Sequence, residues 1–151
     1  MSDMVEKLLE SYLMLEKELR SFEETMIRCF GEFAKLVGLP FDWLVRTMFT
    51  AKLRTIGEIR EDAELKKVII DGEEINLFLE EPLIIGEAIA YAETIDVIRR
   101  LLRKAEIVEA KYGKEPRKLL VILTATSETS RQLKRIAEKE HVELIIGKTI
   151  G

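Results

Sequence analysis

The sequence predicts an α/β domain, with a mixed sheet flanked by helices, that follows a long coiled-coil helix. Apolar residues first recur every three or four positions, as in a coiled coil, and Gly38 and Pro40 end that pattern. From residue 65 onward, short apolar segments typical of strands alternate with amphipathic helical segments. We therefore predict a coiled-coil helix over 1–38 and one α/β domain over 41–151, with the element order α-β-β-β-α-β-α-β.

The first segment carries an uninterrupted a/d pattern, which we call the seam. A strict repeat of 3.5 residues over more than four heptads favours self-association over a helix that folds back onto its own domain. The large side chains of Tyr12, Phe22 and Phe33 leave the number of chains in the oligomer open. The seam consists of Val5, Leu8, Tyr12, Leu15, Leu19, Phe22, Met26, Cys29, Phe33 and Leu36.

The second segment begins with a predicted helix that presents an apolar face. Two strands joined by an Asp71-Gly72 turn follow it, and then a strand that is apolar almost throughout, as a central strand should be. The predicted helices are 41–55, 94–112 and 127–140, and the predicted strands are 67–71, 75–79, 83–91, 119–124 and 142–146.

Composition limits the classes of protein to consider. Charged residues make up 34% of the chain, and Asn76 and Gln132 are its only amide side chains, which is typical of proteins from thermophiles. The acidic start and the lack of a long apolar run predict a cytoplasmic protein with no membrane partner. Cys29 is the single cysteine, so the chain cannot form an internal disulfide or a cysteine-based zinc site.

Basic side chains are concentrated in one segment of an otherwise acidic chain. The net charge is −4, but residues 94–118 contain eight basic and four acidic side chains, a net charge of +4. A DNA- or RNA-binding surface would use this segment, although a solvent-exposed helix face is the commoner role for such a run. The candidate contact residues are Arg99, Arg100, Arg103, Lys104 and Lys111.

Two short motifs, together with the order of elements, carry a resemblance to a known family. The motifs are Glu74-Ile75-Asn76-Leu77-Phe78 and Ile85-Gly86-Glu87-Ala88-Ile89. They resemble the restriction-endonuclease-like PD-(D/E)xK superfamily, and most of all a degenerate archaeal branch in which a coiled coil precedes the nuclease-like core. In active relatives an acidic residue on the second strand and a Glu-x-Lys on the third hold a divalent metal and orient the attacking water.

The resemblance implies that most of the catalytic chemistry has been lost. Asn76 stands at the position of the metal-binding Asp, Glu87 matches the Glu, and Ile89 replaces the Lys. Only Glu87 remains a candidate metal ligand, because Mg²⁺ prefers anionic oxygen and Ile89 cannot neutralise a phosphate. We assign no catalytic residue.

Two carboxylates near these motifs have alternative interpretations. Glu74 lies on the same strand face as Asn76 and could replace it as a ligand, but a solvated hairpin carboxylate is the commoner case. Glu87 interrupts an apolar strand, where an unpaired charge would be costly, so we expect a helix arginine to pair with it.

Two functional hypotheses follow. The favoured one is a non-catalytic, nuclease-derived module that assembles as a homo-oligomer, needs no cofactor and has at most weak contact with nucleic acid. The alternative is a Mg²⁺-dependent DNA or RNA nuclease. Its altered site would use Glu74, Glu87 and a basic residue from the helix within 94–118.

Overall fold

The structure, a computed structural model, describes residues 2–151 as a mixed α/β fold; Met1 of the predicted segment 1–38 lies outside this range. Its five strands form one sheet in the order β1-β2-β3-β4-β5. Strands β1, β2 and β3 pair antiparallel, whereas β3, β4 and β5 pair parallel. The described elements are α1 (Ser2–Val37), α2 (Phe41–Thr55), β1 (Lys66–Ile70), β2 (Glu73–Leu79), β3 (Ile84–Ala92), α3 (Asp96–Tyr112), β4 (Arg117–Thr126), α4 (Ser127–Glu140) and β5 (Val142–Ile150).

Helices cover both faces of the sheet, which gives three layers. On one face, Ile98 of α3 and Leu133 of α4 pack in a core with the strand residue Ile122. On the other face, Ile27 of α1 and Val45 of α2 pack in a second core. Burial on both faces explains why β3 and β4 are apolar along most of their length.

Helix α1 has an exposed part and a part that packs on the sheet. Every side chain from Asp3 to Phe22 is exposed, whereas Ile27 and Ala34 are each only 1% exposed. The helix can approach β4 closely because Gly31 has no Cβ, and an added Cβ would collide with the side chain of Leu123. Residues from about 23 onward therefore belong to the packed layer beside α2.

Several of the element ends differ from the predicted bounds. Strand β5 continues to Ile150, four residues beyond the predicted end, because its parallel pairing with β4 runs as far as Thr126 opposite Ile150. Helix α3 begins at Asp96, and the Thr94 hydroxyl accepts a hydrogen bond from the Asp96 N–H at 3.3 Å. Within residues 2–151, no helix combines the length and apolar character needed to cross a membrane.

Candidate functional site

The site lies where β2 and β3 separate. Their paired residues extend from Leu79 opposite Ile84 to Leu77 opposite Gly86. Beyond that point, hydrogen bonds between backbone and side chains join the two strands. The Asn76 N–H donates to Glu87 Oε2 at 3.3 Å. In return, the Ala88 N–H donates to Asn76 Oδ1 at 3.2 Å. These reciprocal bonds hold the side chains of Asn76 and Glu87 beside each other.

A lysine from α3 neutralises Glu87. The Lys104 ammonium donates to Glu87 Oε1, and the two side chains are only 12% and 7% exposed. The same ammonium donates to the Glu74 carbonyl oxygen at 2.6 Å. A buried carboxylate requires such a partner. The expectation of a helix partner is met, but the cation is a lysine and not the expected arginine.

A cavity of about 200 Å³ opens beside this ion pair. It brings together the four positions that the motifs single out and adds two basic residues from α3. The cavity is lined by Glu74, Asn76, Glu87, Ile89, Val97, Arg100 and Lys104. Residues from β2, β3 and α3 thus form one polar site with an apolar wall at Ile89 and Val97.

Helix α2 fixes the backbone of Asn76 from the opposite side. Arg46 donates to the Asn76 carbonyl at 3.1 Å and to Asp42 Oδ2 at 2.6 Å. Burial alone would raise the pKa of Asp42, but the hydrogen bond and charge of Arg46, with the charge of Lys67, hold that pKa below its ordinary value. Arg46, paired with Asp42 within α2, therefore links this helix to β2 through the Asn76 carbonyl.

The residues at this site do not fit a divalent metal. Both oxygens of Glu87 already accept hydrogen bonds, from Lys104 and from the Asn76 N–H. Asn76 Oδ1 accepts from the Ala88 N–H, and the Glu74 carboxylate pairs with Lys67 at 2.7 Å. Among the described residues, no group of three or more His, Cys, Asp or Glu side chains converges. Hard cations need several free anionic oxygens, and both carboxylate oxygens of Glu87 and Oε1 of Glu74 are already engaged.

Some of the candidate basic side chains on α3 form ion pairs within the domain, and others do not. Arg103 pairs with Glu73 at 3.0 Å, and Lys104 pairs with Glu87. Across residues 2–151, no side-chain hydrogen bond or ion pair occupies the cations of Arg99, Arg100 and Lys111, all of which are exposed. Three of the five candidate nucleic-acid contacts are thus available to a partner.

The seam faces away from the domain along the described length of α1. Phe22 is 61% exposed, Phe33 58% and Leu36 85%, although the opposite side of the helix packs on the sheet at those levels. Cys29 is also exposed, and Met26 is half-buried. The domain therefore leaves the seam open to another chain.

Two features of the site were missed by reasoning from the sequence alone. The link from Asp42 through Arg46 to the Asn76 carbonyl has no signal in the sequence, because it joins residues 30 positions apart. The role of Lys104 did have a signal. Val97, Leu101, Lys104 and Val108 share one stripe of α3, and the other three are buried, so a lysine there indicates a buried partner.

Comparison with known proteins assigns the chain to no family. No family model matches it, and no curated protein or solved structure matches it significantly.

Proposed function

We propose that the protein is a non-catalytic, nuclease-derived module that assembles copies of itself through the seam on α1. The observation that carries the proposal is the pairing of Lys104 with Glu87. In active members of the nuclease family that the two motifs resemble, the matching Glu holds a metal, whereas here an ammonium from α3 lies against Glu87. The α/β domain is then a scaffold whose polar cavity neither binds a metal nor catalyses a reaction.

Lys104 stands in chemically for the cation that such a site would otherwise bind. Its ammonium takes one carboxylate oxygen, from Glu87, and one carbonyl oxygen, from Glu74, which are the ligand types that hard cations prefer. A divalent ion would have to displace this tethered charge, and it would then meet the Arg100 guanidinium in the same cavity. Both effects oppose metal binding.

The assembly part of the proposal rests on the exposed part of α1. A lone helix in water is of marginal stability and depends on packing of its apolar face. Leu8 is 65% exposed and Leu15 56% exposed, and the domain supplies nothing that covers them. Covering these residues by the same seam of another copy removes that apolar surface from water.

Adjacent substitutions on α1 test the assembly. Leu15 lies on the seam and Met14 lies off it, yet both are exposed, at 56% and 63%. We expect Leu15→Glu to reduce the mass measured by light scattering to that of one 17.4 kDa chain. Met14→Glu adds the same charge and should leave the oligomer intact. An unchanged mass for Leu15→Glu would move the interface elsewhere.

Truncation tests the same point if it stops before the packed part of α1. Removal of residues 1–21 should give a folded monomer, because the deleted side chains that the structure describes are all exposed. Removal of residues 1–37 should instead unfold the domain, since it deletes the core residues Ile27 and Ala34. Circular dichroism and light scattering distinguish the two results. An oligomer that survives removal of residues 1–21 would contradict the proposal.

A second candidate, a metal-dependent nuclease with an altered site, is favoured by one observation. Lys104 of α3 lies beside Glu87, where a borrowed lysine could replace the one lost at Ile89. An assay on DNA and RNA with Mg²⁺ or Mn²⁺ separates the candidates. The assembly proposal expects no cleavage, whereas cleavage that disappears in both Glu87→Gln and Lys104→Met would establish the nuclease.

A further inference from the structure

We infer that the seam pairs with the seam of a second copy in the antiparallel direction, which gives a two-chain assembly with the α/β domains at opposite ends. This inference rests on the proposed self-association and adds the number of chains, their direction and their register. In this register Val5 faces Leu36 of the second copy, and each further seam residue faces its counterpart in reverse order. The facing pairs are Val5 with Leu36, Leu8 with Phe33, Tyr12 with Cys29, Leu15 with Met26 and Leu19 with Phe22.

Side-chain size selects the antiparallel direction. A parallel dimer places each seam residue opposite itself, so Tyr12 and Phe22 each form a crowded layer, whereas Cys29 forms an underfilled one. Both overpacked layers and cavities are destabilising. In the antiparallel register the largest side chain, Tyr12, faces the smallest, Cys29. Each phenylalanine of the seam faces a leucine, so every layer has a similar volume.

The residues beside the seam agree with this direction. The antiparallel register places Leu9 next to Phe30 of the second copy, and these side chains are 56% and 46% exposed. A parallel register places Phe30 next to Thr25 instead. The acidic residues that flank the seam do not distinguish the two helix directions, because a glutamate of the second copy lies near Glu23 in both. Its charge is already paired with Lys52 at 2.9 Å.

The fold leaves room for the second helix. In the antiparallel pair, the N-terminal half of one α1 lies along residues 22–36 of the other. There Phe33 and Leu36 point away from the sheet, whereas Ile27 and Ala34 pack on it. A seam from Val5 to Leu36 is roughly 47 Å long at the rise of an α-helix. The second copy thus covers both the exposed half and the packed half of α1 without displacing the domain.

Disulfide cross-linking at the single cysteine, Cys29, distinguishes the two helix directions. In a parallel dimer Cys29 faces Cys29 of the second copy, so oxidation with copper phenanthroline should link the wild-type chains. In the antiparallel dimer the two cysteines are separated by about 25 Å along the helix, and no link should form. The variant Tyr12→Cys should then form a disulfide-linked dimer with Cys29 of the second copy, visible on a non-reducing gel.

Two controls keep the result unambiguous. Tyr12→Cys combined with Cys29→Ser should not cross-link in the antiparallel dimer, but it should do so in a parallel one. If Tyr12→Cys fails to assemble, Leu15→Cys and Met26→Cys, each with Cys29→Ser, replace it. Their mixture should cross-link while each chain alone does not.

The outcomes separate the direction from the self-association. Light scattering of the untreated wild-type chain should give twice 17.4 kDa. A single-chain mass would overturn the self-association itself, as expected if a different protein covers the seam. A two-chain mass together with a Cys29 cross-link in the wild type would retain the assembly and overturn its antiparallel direction.

Discussion

The ammonium of Lys104 on α3 and the carboxylate of Glu87 on β3 form a largely buried ion pair at the junction of helix and sheet. The pair also anchors the splayed ends of β2 and β3, since Glu87 accepts from the Asn76 N–H and Lys104 donates to the Glu74 carbonyl. It thus links three elements in the middle of the candidate site.

Removal of one member of this pair should destabilise the domain. We expect Lys104→Met to lower the free energy of unfolding by about 3 kcal/mol, because it leaves Glu87 charged, buried and without its cation. The double variant Glu87→Gln with Lys104→Met should recover much of that loss, since it removes the charge as well. Urea denaturation measures both. Arg131→Met, which breaks an exposed pair with Glu128, is the control and should cost less than about 1 kcal/mol.

Adding a second carboxylate and removing the internal cation should create metal affinity. In Asn76→Asp combined with Lys104→Met, two carboxylates lie beside each other and the ammonium that pairs with Glu87 is absent. We expect Mn²⁺ or Mg²⁺ to bind at least about tenfold more tightly than to the wild type, as measured by calorimetry. Lys104→Met alone is the matched control. Equal affinity in the double variant and the control would show that Asn76 does not face the position of a metal.

Contact with nucleic acid should depend on those cations of α3 that are not in ion pairs within residues 2–151, Arg99 and Arg100 among them. We expect Arg99→Glu with Arg100→Glu to remove binding of DNA or RNA in a filter or anisotropy assay. A variant that neutralises the same two side chains should reduce the salt slope by about two. Lys134→Glu with Arg135→Glu, on the exposed face of α4, makes the same charge change elsewhere. Equal losses in both charge reversals would indicate a general charge effect and not a surface on α3.

Asp42 should stabilise the fold above its ordinary pKa of 3.8 and lose that effect in acid. Its pKa is lowered in the folded state, so its contribution is present at neutral pH and is lost as the pH falls through the folded-state pKa. We expect Asp42→Asn to lower the free energy of unfolding by about 1 kcal/mol at neutral pH and by much less near pH 2. Asp62→Asn, at an exposed pair with Arg60, is the control and should cost less than about 1 kcal/mol.

The helices and strands of the fold could be predicted from local sequence patterns. The period of apolar residues changes from three and four to two at the strands, and Asp71-Gly72 marks the first hairpin, where both residues have positive φ. The predicted order of helices and strands matches the observed order throughout. The end of β5 could not be predicted, because it depends on the neighbouring strand β4 that pairs with it.

The sequence by itself determined the period of each segment, the residues of the seam on α1 and the need of Glu87 for a cationic partner. Tertiary structure alone decided that the partner is Lys104, that Arg46 holds the Asn76 carbonyl, and that Ile27 and Ala34 anchor α1 on the sheet. The reason is physical: periodicity depends on neighbours within one element, where geometry is fixed. An ion pair or a packed layer depends on elements brought together only by the folded chain, and many sequence positions could satisfy the same local pattern.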